Sequence, residues 1–203
     1  MRRVGPILLV MVMVACKGKD SSPPAQIQPA APSSAPTAST ESAVAPEVNP
    51  PGDIPDTQAF IKYTSSAGGY EMDVPEGWAR TESGSAVNFV NKFDGVHVAI
   101  APVSAAPTVA SARANEGKQI QSQGHAVTIT SVAEVTFPAG KAILVKYTSN
   151  SDPNPVTNKR VRLENAAYIY FKNGKEATLT LWAPLGADNA DQWNRMSKSF
   201  RWM

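Results

Sequence analysis

Two alternating segments joined by Asn173-Gly174 constrain the fold of this chain more than any other feature. Residues 159–172 and 175–183 largely alternate apolar with polar side chains, the period of a β-strand with one buried face. An Asn-Gly pair between two such segments is the strongest short-range signal for a two-residue hairpin, because both residues tolerate a positive φ. The sequence therefore predicts an antiparallel hairpin here, with Leu179, Leu181 and Ala183 on one face of its second strand.

Further strands and two helices are expected around this hairpin. We expect strands at 59–63, 70–74, 86–93, 96–102, 125–137 and 141–149, with turns at Asp94-Gly95 and at 138–140. Residues 109–123 indicate one helix that ends at Gly124, and a last helix spans about 189–200 with Trp193, Met196 and Phe200 on one face. Alternation in 125–137 assigns five side chains to one face: Val127, Ile129, Ala133, Val135 and Phe137. Because hairpins join most neighbouring strands, the expected class is α+β with a mainly antiparallel sheet.

The first sixteen residues resemble the export signal of a bacterial lipoprotein. Arg2 and Arg3 precede an apolar run at 7–14, which is too short for the roughly 20 residues that cross a bilayer. The run ends in Met-Val-Ala before Cys16, the only cysteine of the chain, and this resembles a lipobox. The resemblance implies that residues 1–15 are a signal peptide and that Cys16 carries lipid, palmitate included. The alternatives are an ordinary signal peptide with a chance cysteine, or an uncleaved membrane stub.

Residues 21–52 consist mainly of Pro, Ala and Ser and hold few large apolar side chains. Such a segment cannot bury enough surface to offset the entropy of ordering, so we expect a disordered tether with polyproline II character. The alternatives are a ligand for a proline-reading module or a glycosylated stretch. The predicted organisation is a signal peptide at 1–15, a lipidated cysteine and tether at 16–55, and a globular domain at 56–203.

This organisation predicts a location in the bacterial cell envelope, with the membrane contacted through lipid on Cys16. Lys17 rather than Asp follows the cysteine, which in a Gram-negative host favours the outer membrane, facing the periplasm or the cell surface. A net charge of +2 without a concentrated basic stripe argues against nucleic acid as a partner.

The segment YTSSAGGYEMDVPEGW at 63–78 resembles the opening of PsbP-like and Mog1-like domains, a family that includes LpqN-like envelope lipoproteins. The matching residues are Gly69, Tyr70, Val74, Pro75, Gly77 and Trp78. Residues 178–202 resemble the family's last strand and final helix, so the resemblance covers 56–203. It implies an α/β/α sandwich around a mainly antiparallel sheet, and non-catalytic protein binding. The matching positions are structural, so no functional residue follows from them.

No catalytic pattern stands out in the sequence. Neither of the two histidines, His97 and His125, lies at metal-ligand spacing from another His, Cys or Asp. No P-loop, dinucleotide fingerprint or Gly-x-Ser-x-Gly is present. Oxygen ligands at 151–158 would suit calcium, but one carboxylate and two prolines favour a plain turn. We therefore expect no enzyme activity, no cofactor and no metal site.

A basic and aromatic patch is the candidate interaction surface. Its members would be Arg160, Arg162, Tyr168, Tyr170 and Trp182, residue types that suit an acidic protein, a glycan or a phosphate. The alternative is that this strand face lies under a helix and that the charges only solvate a strand end. The leading expectation is a tethered envelope lipoprotein that serves as a non-catalytic protein-binding or assembly module. The alternatives are a small-molecule or lipid-binding lipoprotein, with the ligand held between sheet and helix, and an envelope hydrolase.

Overall fold

The described part of the chain forms two antiparallel sheets. The computed structural model describes residues 41–138 and 140–203. Within them the chain forms these elements: β1 (Phe60–Ser65), β2 (Tyr70–Pro75), β3 (Ala79–Ser83), β4 (Ala86–Asn91), β5 (Asp94–Pro102), α1 (Val109–Ala114), α2 (Glu116–Gln123), β6 (His125–Phe137), β7 (Gly140–Asn150), β8 (Arg162–Lys172), β9 (Lys175–Pro184), α3 (Ala190–Ser199) and β10 (Arg201–Trp202).

The large sheet has seven strands in the order β3-β4-β5-β9-β8-β7-β6, and the small sheet has three in the order β1-β2-β10. Every paired strand runs antiparallel to its neighbour. The predicted α+β class with a mainly antiparallel sheet is therefore confirmed, and strand β9 lies at the centre of the large sheet.

Helices cover both faces of the large sheet, as the α/β/α prediction requires. The face that carries Tyr170, Leu179 and Leu181, here called the α3 face, packs in one apolar cluster with Met196 of α3 and with Phe200, which follows that helix. The opposite face, here called the α1 face, buries a second cluster made of Ala112, Val132, Ile143, Val145, Ala167 and Ile169.

Phe200 joins the last helix to both sheets. Its ring stacks on Tyr170 of the large sheet, with ring centroids 4.3 Å apart, and on Tyr70 of the small sheet, with centroids 5.2 Å apart. Such aromatic pairs contribute about 0.5–1.5 kcal/mol each beyond their buried area. The Tyr170 hydroxyl also donates a hydrogen bond of 2.7 Å to the carbonyl of Ser197 in α3. The strand face of Tyr168 and Tyr170 is thereby covered by a helix, as the alternative interpretation expected.

The hairpin at Asn173-Gly174 forms as predicted, and the predicted hairpin of 86–93 with 96–102 also forms, but its turn does not lie at Asp94-Gly95. Asn173 and Gly174 both have positive φ, 51° and 74°, between the paired residues Lys172 and Lys175. Asn91 pairs with Asp94, so the earlier turn lies two residues before the predicted one, and Lys92 takes the positive φ of 52°.

Asp94 and Gly95 belong to β5 rather than to the turn, and both are buried there. Gly95 lies under the Trp182 ring, so closely that an added Cβ would be 1.8 Å from a ring atom. Asp94 is only 4% exposed. Burial, and then the nearby Asp53 charge, raise the pKa of Asp94 to about 7.

Two further elements depart from the sequence prediction. The helix predicted over 109–123 is broken at Asn115, whose φ of −109° and ψ of −78° separate α1 from α2. Bulges in β6 shift its register between His125 and Thr128 and between Ile129 and Ser131. Because each bulge inserts one residue, Ile129 packs in the α1-face cluster while Val135 and Phe137 pack on the α3 face. The single face predicted for this strand is therefore wrong.

Strands β3 and β10 are not predicted from the sequence. Each side chain of β3 is exposed, so the strand shows no alternation to read. Strand β10 has two residues, Arg201 and Trp202, and pairs with β2. Strands this short give no periodic signal.

Contacts with the globular domain begin earlier in the chain than residue 56, the predicted boundary. Ile54 is 5% exposed and belongs to the main core cluster. Its backbone N–H donates to Oδ1 of Asn189 at 2.6 Å, and Nδ2 of Asn189 donates to the carbonyl of Gly52 at 2.8 Å. Among the described residues, none of the helices has the length and apolar character needed to cross a bilayer.

Candidate functional site

The main candidate site is a groove of about 560 Å³ between α2 and the α1 face of the large sheet. We call it the sheet groove. Its floor comes from β5, β7, β8 and β9 and its wall from α2. The residues used below to describe it are His97, Glu116, Gln119, Tyr147, Asn165, Glu176, Thr178, Thr180 and Trp182.

The groove exists because the helices cover only part of the α1 face. Helices α1 and α2 contact β6, and α1 also contacts β7. The face beneath them is apolar, as in the pair Val132 and Val145. Farther along the same row, Thr180 pairs with Ala167 on one side and with His97 on the other, and both polar side chains are half-buried. The side chains thus change from apolar to polar where helical cover ends.

Trp182 forms an aromatic platform on this floor. It pairs with Gly95 in β5 and with Asn165 in β8. A Cβ at residue 95 would come within 1.8–2.3 Å of three atoms of the indole ring. Glycine is therefore required at 95 by the close approach of the ring to the backbone of β5.

His97 is held by a neighbour on the same face. Its Nδ1 lies 2.8 Å from Oδ1 of Asn88, and an acceptor at that distance places the imidazole proton on Nδ1. Burial lowers the pKa of His97, against the opposing effect of a backbone hydrogen bond at Val87. At neutral pH His97 is therefore a neutral ring that can hydrogen-bond a ligand.

The carboxylates of Glu116 and Glu176 lie at the end of the groove where β9 begins. Burial, followed by the charge of Glu116, raises the pKa of Glu176, while a hydrogen bond from Thr178 lowers it. Burial also raises the pKa of Tyr147, to about 12, so its hydroxyl stays protonated. Within 41–138 and 140–203, no group of three or more His, Cys, Asp or Glu side chains is arranged to hold a metal ion.

The arrangement suits reversible binding through hydrogen bonds and stacking. Thr178 and Thr180 supply hydroxyls, His97 supplies a neutral imidazole, and Trp182 supplies an aromatic surface. Binding sites commonly combine aromatic contact area with a few placed polar groups of this kind.

The five residues of the predicted patch do not form one exposed surface. Tyr168 and Tyr170 are 9% and 4% exposed and lie on the α3 face. Trp182 pairs with Asn165, whereas Tyr168 pairs with Leu179. Because successive residues of a strand point to opposite faces, Trp182 lies on the other side of the sheet from both tyrosines.

The two arginines of the predicted patch lie elsewhere and differ in exposure. Arg162 is 6% exposed and donates hydrogen bonds to the Ala126 carbonyl, to Oδ1 of Asn150 and to Oγ1 of Thr148. Arg160 is partly exposed, and its Nε lies 3.2 Å from a carboxylate oxygen of Glu41. Of the predicted residues, only Trp182 lines the sheet groove.

Thr178 and Thr180 line the groove but are not among the residues predicted from the sequence, although a signal for them is present. The order Thr-Leu-Thr-Leu-Trp at 178–182 alternates polar with apolar side chains, which sets the two threonines and Trp182 on the face opposite the leucines. Cys16, the predicted lipidation site, lies outside the described residues.

No protein-family model and no curated protein matches the chain. Solved structures similar to it include cyanobacterial PsbP (CyanoP) from Synechocystis sp., which is 13% identical; the alignment covers 75% of this chain and 98% of that chain, with a TM-score of 0.49. The Ran-binding protein Mog1p of Saccharomyces cerevisiae is 12% identical over 71% of this chain and 96% of that chain, with a TM-score of 0.48. LpqN of Mycobacterium tuberculosis, involved in cell envelope biogenesis, is 9% identical over 72% and 91%, with a TM-score of 0.45. Structures of PsbP and Mog1p, whose families the sequence resembles, are thus among those similar to this chain.

The substitution Gly95→Ala tests the close packing beneath Trp182. We expect destabilisation of roughly 1–3 kcal/mol, the usual cost of forcing extra atoms into a packed site, together with a shift of tryptophan fluorescence as the ring is displaced. Gly84→Ala is the control, since nothing lies within 4 Å of its added Cβ and the cost there comes from a φ of 61°. Chemical denaturation and emission spectra measure both effects; an unshifted Gly95→Ala spectrum would contradict the packing.

Proposed function

We propose that the protein is a lipid-anchored protein of the bacterial cell envelope, and that its domain binds a protein partner through the sheet groove without catalysing a reaction. The sequence around Cys16 supports the anchor, and the open face of the large sheet supports the binding surface. The protein would act by contact at the end of its tether.

The main support for a binding role is the polar half of the α1 face, which helices α1 and α2 leave uncovered. On β6 and β7 this face is apolar and packed under helices, but on β5 and β9 it presents Thr178, Thr180, His97 and Trp182 in the groove. A partner that docks here would complete the layer that α1 and α2 leave unfinished. Non-obligate interfaces are about as polar as ordinary protein surface and are enriched in aromatic residues, which fits this floor.

The anchor is supported by the order of features at the N-terminus. A basic pair, a short apolar run and Cys16 after a small residue form a processing pattern. One acyl chain gives only marginal membrane binding, whereas two or more hold a protein firmly. The Pro, Ala and Ser-rich residues that follow would separate the domain from the membrane surface.

A second candidate function is the binding of a small ligand in the same groove. The volume of about 560 Å³ lies within the roughly 300–1,000 Å³ typical of small-molecule sites. Trp182 and Tyr147 supply aromatic surface, as such sites usually do. The two candidates differ in the size of what occupies the groove.

The substitution Cys16→Ala tests the anchor. We expect the variant to move from the membrane pellet to the soluble fraction and to lose incorporation of labelled palmitate, because the acceptor sulfur is removed. Lys17→Ala, one residue away, should keep both properties. A Cys16→Ala protein that still pellets with membranes and still incorporates palmitate would rule the anchor out.

Site-specific photocrosslinking in intact cells tests the groove. A photoreactive side chain at Thr180, on the floor, should give one discrete protein adduct, because a docked partner would lie within reach. The same group at Thr136, an exposed strand threonine outside the groove, is the matched control and should give none.

Two outcomes decide between the candidates. A Thr180 adduct that disappears with Trp182→Ala supports a protein partner. If Thr180 gives no adduct, native mass spectrometry of the purified protein should show a small ligand that Trp182→Ala releases. A protein that shows neither would refute both candidates.

A further inference from the structure

A second binding feature lies at the end of the sheet groove, where the chain's own residues 41–44 contact the domain. Asn150, Arg160 and His125 hold this segment, and we call these three residues the Glu41 clamp. We propose that the Glu41 clamp is a binding site for an acidic, extended peptide, and that residues 41–44 of the tether fill it in cis.

Asn150 recognises extended backbone. Its Nδ2 donates to the carbonyl of Ser42 at 3.0 Å, and its Oδ1 accepts from the N–H of Val44, also at 3.0 Å. The side-chain amide thus pairs with two backbone groups, two residues apart, as a neighbouring strand would. These groups are present in any peptide, so this contact selects conformation rather than sequence.

The contacts with the Glu41 carboxylate account for the preference for an acidic residue. Its Oε1 accepts from Nδ2 of Asn150 at 2.8 Å and lies 3.2 Å from Nε of Arg160. Its Oε2 lies 2.8 Å from Nδ1 of His125. The Asn150 hydrogen bond is the largest of the effects that lower the pKa of Glu41, and His125 and Arg160 act in the same direction. Both oxygens of the ionised Glu41 carboxylate therefore have hydrogen-bond or ion-pair partners in the clamp.

The clamp residues also make contacts within the domain, in addition to those with the segment they bind. Arg162 donates to Oδ1 of Asn150 at 3.1 Å, which turns Nδ2 of that amide toward the tether. Arg160 donates to the carbonyl of Ser151 at 2.7 Å, and Nε2 of His125 lies 3.2 Å from Oδ1 of Asp152. Side chains that are positioned before binding lose less entropy when the ligand arrives.

The charge behind the clamp favours an anion. Arg162 is buried, and its acceptors within the described residues are neutral: two backbone or amide oxygens and one hydroxyl. One of those acceptors, the carbonyl of Ala126, lies at the bulge between His125 and Thr128, where Ala126 has a φ of 45°. The bulge therefore helps to hold a buried cation directly behind the amide that binds Glu41.

The chain's own sequence supplies a suitable ligand at this point. Residues 21–40 contain no charged side chain, and Glu41 is the first charge after Asp20. Ser42, Ala43 and Val44 follow, small residues and a β-branched one that suit an extended backbone. The inference goes beyond the proposed function, since it concerns the end of the groove and holds whether or not the groove floor binds a partner.

Hydrogen exchange on the full purified chain tests occupation in cis. Glu41→Gln should raise exchange of the Val44 amide by about tenfold or more, since charge-assisted hydrogen bonds are about twice as strong as neutral ones. Glu47→Gln, an exposed glutamate of the same segment, is the matched control and should leave that amide unchanged.

Peptide binding to the same proteins tests recognition in trans. The probe is a fluorescent synthetic peptide of residues 38–48, followed by anisotropy. The Glu41→Gln chain should bind it at least about tenfold more tightly than the unchanged chain, because the cis segment no longer competes at its high effective concentration. A probe with Gln in place of Glu41 should bind about tenfold more weakly.

A clamp variant completes the test. Arg160→Gln, placed in the Glu41→Gln chain, should weaken peptide binding while leaving the thermal melt close to that of its parent, because Arg160 is partly exposed. Asn150→Ala should abolish binding, and circular dichroism checks that it folds. The proposal is overturned if Val44 exchange does not change, if no variant binds the probe, or if Arg160→Gln binds it as well as its parent does.

Discussion

Strand β9 and its register with β8 determine the rest of the molecule. The turn at Asn173-Gly174 sets Tyr168 opposite Leu179 and Asn165 opposite Trp182. Since side chains alternate with a period of two, a slip of one residue would exchange the buried face for the open one. The positive φ values of Asn173 and Gly174, 51° and 74°, therefore support both the core and the groove.

The two faces of β9 have different surroundings, one buried in the core and one open to the groove. On the α3 face, Leu179 and Leu181 are fully buried and join the cluster that contains Phe200. On the α1 face, helices protect only the β6 and β7 side, and the remainder of the face carries threonine, histidine and tryptophan. A hydrophobic floor there would be an exposed apolar patch, a liability for a protein without a partner. Polar side chains with one large ring can stay exposed to water and still bind.

The sequence predicts this architecture well where local rules and tertiary packing agree. The Asn173-Gly174 hairpin, the alternation of β9 and the amphipathic last helix all follow from period and turn chemistry. Asp94-Gly95 shows the reverse: the pair is a strong turn signal, but Gly95 is needed beneath Trp182, a contact between strands far apart in sequence. The bulges of β6 likewise have no local signature, so the single face predicted for that strand is wrong.

The candidate sites depend even more on tertiary contacts. The sequence predicts Trp182 as a binding residue from its residue type, yet the groove that it lines also takes His97 and Glu116 from distant segments. Arg160 is predicted from the sequence as part of a surface patch, but its ion pair with Glu41 joins the domain to a segment predicted to be a plain tether. Alternation along one strand can assign a side chain to a face; it cannot reveal which parts of that face a helix leaves open.

Thiol accessibility along β9 tests most directly the claim that one face of this strand is buried and the other is open. The chain has a single cysteine, so a Cys16→Ser background is free of thiols. Into it are placed Ala177→Cys, at a position that is 0% exposed, and Thr178→Cys, at the adjacent position in the groove, both with little change in size. The structure predicts that the Thr178→Cys variant reacts with a maleimide in the native state, and that the Ala177→Cys variant reacts only after denaturant is added. Equal native reaction rates at the two positions, or faster reaction at 177, would contradict the account.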